Sequence, residues 1–307
     1  MSTNQAIEKL FEGVIPERVN EVMTLVEKYE AQFRVVGDKQ GFNLDAGGFG
    51  AVQFTQRSLD QLWIFGYAGM QALHCYSGII STCHSHNINF DIKKIGSLPE
   101  QVVEDKKFFD TIQYIKKLST VENANDFEWP PNIPNPEHGK PKNKELSVVF
   151  DLTLMATAHV FLHELKHVIF QAEGDAPKKA TDEEIACDKF AAGMMLDKIK
   201  EYSIVSKYPE DKVRMKRSMG IALASAFLLL ATPLHCLNGT ATHPPVHSRW
   251  SAVLKNIELP DNDYYWLYFS SFAIGLMKHL NIKVSAQPVP DFKTFAIKAI
   301  EGLENGI

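Results

Sequence analysis

The 307-residue chain is 45% hydrophobic and 22% charged and carries a formal net charge of −5, an ordinary globular composition with enough apolar material for a sizeable core. That balance provides no general basic surface, which argues against sequence-independent nucleic-acid binding. Four cysteines, Cys75, Cys83, Cys187 and Cys236, show no C-x-x-C spacing, which argues against both a zinc ribbon and a disulfide framework.

The first ten residues are polar and acidic with no apolar h-region, so no signal peptide is expected and a reducing cytoplasm is the expected compartment. Residues 16–30 place Val19, Val22, Met23, Leu25 and Val26 near a 3.6-residue period and read as an amphipathic helix with Pro16 near its start. Residues 33–36 and 51–54 read as short strands, with Gly37, Gly41, Gly47 and Gly48 punctuating the segment between them. Ser58 is a plausible N-cap for a long apolar helix over 59–80, and a second amphipathic stretch covers 100–118. Cys83-His84-Ser85-His86 reads as loop, because histidines at i, i+2 share no helix face.

Residues 121–144 hold Pro130, Pro131, Pro134, Pro136, Gly139 and Pro141 and are expected to form a loop bordering the cleft. The strongly apolar stretch 146–171 ends in a helix stop at Glu173-Gly174-Asp175. A helix over 181–199 follows. Residues 219–231 are apolar but shorter than the ~20 residues of a bilayer span, so they read as a buried core helix. Lys212, Arg214, Lys216 and Arg217 just before them keep peripheral membrane association as an alternative. An aromatic helix over 264–280 and a short one over 291–303 complete the chain. The expectation is a mostly α-helical α+β fold with a small sheet. A helical region with short strands (1–120), the Pro-rich loop (121–144) and a catalytic region (145–307) would make one compact unit.

The chemistry centres on His163-Glu164-Leu165-Lys166-His167, an H-E-x-x-H pattern. On a helix the two imidazoles project from one face a turn apart, the separation at which they can bind one tetrahedral zinc ion at roughly 2.0–2.1 Å. Glu164 then lies beside the open coordination position as a general base. A third ligand is needed. Glu173 has metzincin spacing, but Phe170 stands where that pattern needs glycine. His159 continues the series one turn back, but three successive turns are nearly collinear, so a core role suits it better. Glu184 and Asp188, at i, i+4 on the next helix, suit a carboxylate ligand and an acceptor for the outer N–H of a ligating histidine. Glu183 is the alternative ligand. The bland reading of Glu184 is a capping box with Thr181 as N-cap.

The run His163-Glu164-Leu165-x-His167 followed by Glu184-x-x-Cys187-Asp188-x-Phe190-Ala191 resembles the gluzincin pattern, with Cys187 where alanine is usual. Thr242-His243-Pro244-Pro245 with Arg249 is similar to a segment downstream of the metal helices in related metallopeptidases. Chain length and motif position most resemble the Lit-like phage-exclusion peptidases. That resemblance implies a zincin-like core, one Zn2+, and an endopeptidase whose target is a host translation factor cleaved during phage infection. It also makes His243 the first candidate for stabilising the oxyanion, ahead of Arg249, Tyr264 and Tyr265, although His243-Pro244-Pro245 equally reads as a rigid turn orienting a helix. His247 reads as a surface residue. Three other readings compete: a regulatory peptidase acting on a repressor, a membrane quality-control peptidase, and a binding protein with a non-catalytic metal site. No helix-turn-helix with a basic face supports the first of these.

Overall fold

A computed structural model describes residues 3–306. Helices α1 (Thr3–Val14) and α2 (Val19–Lys28) come first, separated by a 3-10 turn at Pro16–Arg18. The reading of 16–30 as one helix is thus shortened at its start, where Pro16 can offer no N–H. α1 itself is amphipathic, burying Ile7, Phe11 and Val14.

Strands β1 (Gln32–Val35), β2 (Leu44–Ala46) and β3 (Ala51–Phe54) form one sheet in the order β1-β3-β2. β3 lies in the middle, parallel to β1 and antiparallel to β2, with Asp45 opposite Gln53. β2 fills part of what the sequence offers only as a glycine-rich connection; three residues carry too little alternation to announce a strand.

β3 passes directly into α3 (Gln56–His86). The cap is Thr55, whose hydroxyl accepts from the Ser58 N–H at 3.1 Å, so the helix starts before Ser58. α3 also runs on through Cys83, His84, Ser85 and His86, which are its last turns rather than a loop. Asn87, in the left-handed conformation at φ 51°, ends it. α4 (Ile92–Ile95) and α5 (Pro99–Thr120) follow.

The centre of the fold is α6 (Lys144–Glu173), capped by the Asn143 side chain and stopped by Gly174 at φ 68°. Then come α7 (Ala180–Leu196), α8 (Ile199–Ser206), α9 (Glu210–Ala231), α10 (Val246–Lys255), α11 (Tyr264–His279) and α12 (Phe292–Gly306). α6 packs against α3, α7 and α9, and touches β2 and β3. Two glycines allow close approach: a Cβ on Gly66 of α3 would meet Thr153 Oγ1 at 2.1 Å, and one on Gly220 of α9 would meet Met155 Cβ at 2.4 Å. The result is mostly helical with a small three-stranded sheet, the α+β architecture expected.

In α9 every residue from 217 to 227 is buried, as a core helix requires. The helix with the length and apolarity of a bilayer span is instead α6, a test that the buried core helix of a soluble protein also passes. Residues 121–144 contain two 3-10 turns, Ala124–Asp126 and Pro136–His138. They do not border the cleft that holds His163. They lie against the start of α6, where Pro134 accepts from the Trp63 indole and Lys140 pairs with Asp151.

Candidate metal centre

His163, Glu164 and His167 all lie on α6, and Glu183, Glu184, Cys187 and Asp188 on α7 beside it. The histidines present Nε2 to one another at 3.2 Å. Glu184 spans both, with Oε2 at 3.4 Å from His163 Nε2 and Oε1 at 3.5 Å from His167 Nε2. Ligands held tetrahedrally at 2.0–2.1 Å stand about 3.3 Å from one another. The three groups are therefore spaced as neighbours around one ion, and His163 and Glu184 are buried.

Each histidine uses its other nitrogen on a different carboxylate. His163 Nδ1 meets Asp188 Oδ1 at 2.9 Å, as the spacing of Asp188 predicts. His167 Nδ1 meets Glu183 Oε1 at 2.7 Å. Glu183, a candidate ligand by sequence, is thus an orienting acceptor; in the neutral imidazole each such acceptor fixes the proton on Nδ1 and leaves Nε2 for a metal. The capping reading of Thr181 and Glu184 fails because α7 starts at Ala180 after Lys179, which makes no side-chain cap. Glu173 is bound to the Tyr29 hydroxyl, away from the histidines. On the rest of α7, Ile185 is exposed and Met194 is buried.

Arg249, on α10, closes the centre. Nε and Nη2 donate to Asp188 at 2.8 and 2.6 Å, and Nη1 lies 3.2 Å from Glu184 Oε2. All its donor groups are directed at these two carboxylates, so it positions them rather than facing a substrate. His243 is more open: its side chain is 60% exposed, Nε2 stands 3.7 Å from Glu184 Oε1, and Nδ1 pairs with Thr242 Oγ1 at 2.8 Å. Tyr264 and Tyr265 do not line the cleft, and the Tyr265 ring is fully buried, which removes both as candidates for the oxyanion. His247 is half-buried, with Nδ1 unpartnered, rather than a surface residue.

Burial pulls the His163 and His167 pKa values down, but hydrogen bonds that the imidazoles donate to carboxylates (His163 to Asp188 and Glu184, His167 to Glu184 and Glu183) more than reverse it, leaving both at about 9. Burial alone would raise Glu184 and Asp188; the facing histidines and Arg249 instead hold both well below the usual carboxylate range. Glu164 moves the other way, raised chiefly by burial. Its Oε2 accepts from the Ala46 N–H of β2 at 2.7 Å. His159 is buried in the same cleft with Nδ1 unpartnered, and burial lowers it to about 4, which keeps it neutral and fits a core role.

A third neighbour of the histidines is Cys187, whose sulfur lies with their ring nitrogens within 4.8 Å. Sequence reasoning passes over it as a small-for-small replacement. Burial raises its thiol to about 12.

The centre opens onto a cavity of about 540 Å³, bounded by β2 on one side and by His243 and the end of α9 on the other. Gly47 donates to Ala51, and Thr55 donates to Asn43, so alternation in the antiparallel pair turns Asn43, Asp45 and Gly47 toward β3. Leu44 and Ala46 therefore face the free edge of the sheet, beside Glu164.

The profile of the family described as Peptidase U49 matches residues 52–269, which include His163, Glu164, His167, Glu183, Glu184, Asp188, His243 and Arg249. The chain is also 24% identical over 243 residues to a protein named "Cell death peptidase" from Escherichia coli (strain K12), an alignment covering 77% of this chain and 74% of that one. No solved structure matches the chain.

Proposed function

The chain belongs to the Peptidase U49 family, and from that premise we propose that it is a zinc-dependent endopeptidase with a zincin-like core, holding the ion on His163, His167 and Glu184. The observation that carries the reading is the set of 3.2, 3.4 and 3.5 Å separations among those groups, each close to the edge of a zinc tetrahedron. Three protein ligands leave one position open, as catalytic rather than structural sites do.

When bound, zinc supplies Lewis acidity, lowering the pKa of a water toward about 7 and polarising the scissile carbonyl. Glu164 does the proton work. The Ala46 N–H fixes Oε2 and leaves Oε1 to take the proton of the attacking water and return it to the leaving amine. Burial raises the basicity of that carboxylate, which suits the role. His243, exposed at the mouth and tethered through Nδ1, is the group we assign to the developing oxyanion. Leu44, on the free edge of β2, offers backbone groups to an extended substrate segment, so the substrate enters as an added strand. We further propose that the substrate is a protein of the producing cell, a translation factor under the Lit-like reading, and that cleavage occurs in the cytoplasm. The name of the Escherichia coli relative is consistent with an activity turned on its own cell.

A second reading has its own observation. With Cys187 as a fourth ligand the centre would be closed and structural, with no place for water. Elemental analysis of wild type and Cys187→Ala separates the two. About one equivalent of zinc in both proteins, with chelator affinity unchanged, supports the open site; loss of zinc in Cys187→Ala supports the closed one. Metal-free protein in both would end either reading.

A further inference from the structure

A second cavity of about 370 Å³ lies between the N-terminal halves of α6 and α9, removed along both helices from the catalytic cleft. Three ammonium groups line it, those of Lys140, Lys212 and Lys216, together with one carboxylate, that of Asp151. Lys140 Nζ stands 2.6 Å from Asp151 Oδ1, and Lys216 Nζ 2.6 Å from Oδ2, so a single negative charge already serves two positive ones. Lys212 sits one turn before Lys216 on α9, and its paired acid is Asp211 at 3.6 Å, with both side chains well exposed. Like charges at i, i+4 cost stability unless something negative lies between them. Arg217, on the same wall, adds no free charge, because it is buried against Glu17 and donates to Met195 O at 2.9 Å.

The other walls are flat and apolar. The Tyr202 ring lies over the Arg217 guanidinium at 5.1 Å, Tyr208 is largely exposed at the rim, and Leu154, Met155 and Val213 form the floor. A surplus of ammonium groups beside aromatic faces suits a ligand with a dianionic end and a planar body. The volume is within the range of small-molecule sites.

We propose that this cavity binds a phosphate monoester carried on a planar ring, with a nucleoside 5′-monophosphate as the free form. The phosphate supplies further counter-charge for Lys140 and Lys216, which share Asp151, and for the neighbouring Lys212, and the base lies against Tyr202 and Tyr208. The site uses none of the centre on α6 and α7, so it stands whether or not the peptidase reading does.

Calorimetric titration of the zinc-loaded full chain at low ionic strength tests it, with AMP, GMP, UMP, adenosine and inorganic phosphate as probes. At least one mononucleotide is expected to bind saturably, inorganic phosphate more weakly, and adenosine more weakly still. Lys212→Ala, an exposed change that the fold tolerates, and Tyr208→Ala should each weaken the mononucleotide, the first by about tenfold for one charge-assisted contact. Glu164→Gln should bind it as wild type does. Phosphate binding as tightly as every mononucleotide would remove the ring from the proposal. Failure of every phosphate probe to bind, or binding unchanged in Lys212→Ala and Tyr208→Ala together, would overturn it.

Discussion

Arg249 bridges the two carboxylates on which the centre depends, and it comes from a helix 61 residues beyond Asp188. Removing it takes from buried Asp188 and Glu184 their shared cation, so Glu184 can turn from the histidines. Arg249→Ala should weaken zinc binding about 10–100-fold, the range typical for loss of an outer contact to a metal ligand. Arg249→Lys, with one donor centre instead of a fork, should recover only part of it. Competition with a chromophoric chelator measures both, and wild-type affinity in Arg249→Ala would refute the positioning role. The proposed ligands are legible in the sequence because helical spacing alone places His163 with His167 and Glu184 with Asp188 on shared faces. The pairing of Arg249 with Asp188, and of Glu183 with His167, is not: each depends on how separate helices meet, which no local spacing encodes.

At the scale of elements, the long helices announce themselves through caps and stops, as at Asn143 and Gly174 around α6. β2 gives no such sign, although it supplies the N–H that holds Glu164. Its strand character comes from pairing with β3, a tertiary effect that three residues cannot express alone. Close contact between α6 and α9 likewise rests on a single missing side chain. A methyl group on Gly220 would overlap Met155 Cβ at 2.4 Å, which is not the flexible end of a side chain. The gain in helix propensity from Gly220→Ala is about 1 kcal/mol. The overlap in a packed core should outweigh it and leave a net loss of about 1–2 kcal/mol. Chemical denaturation decides the sign; a stabilised variant would mean that α9 can withdraw from α6 without cost.

For the whole molecule, the centre sets opposite pH dependences with and without metal. His163 and His167 have folded-state values raised to about 9 from the ordinary 6.5. Their contribution to the metal-free protein is therefore complete below about pH 6.5 and lost as pH rises through about 9. Glu184 and Asp188 are lowered, so their contribution is present above the usual carboxylate range, about pH 4, and lost on acidification. Metal-free protein should be most stable near pH 5–6.5 and weaken toward pH 9. Zinc needs neutral imidazoles, so the increment in melting temperature on adding zinc should grow over that same interval. Scans at fixed zinc from pH 6.5 to 9 check this; an increment that shrinks with rising pH would contradict the assigned ligands.

Glu164→Gln isolates the role proposed for Glu164, moving the proton at a metal held by other groups. The variant keeps the side chain's shape and an oxygen for the Ala46 N–H, but cannot act as a base. Wild type and variant would be expressed in matched cells, purified for zinc analysis, and their lysates compared for newly formed protein termini. About one equivalent of zinc is expected in both proteins, and new termini with wild type alone. The same termini from Glu164→Gln, at an undiminished level, would contradict it.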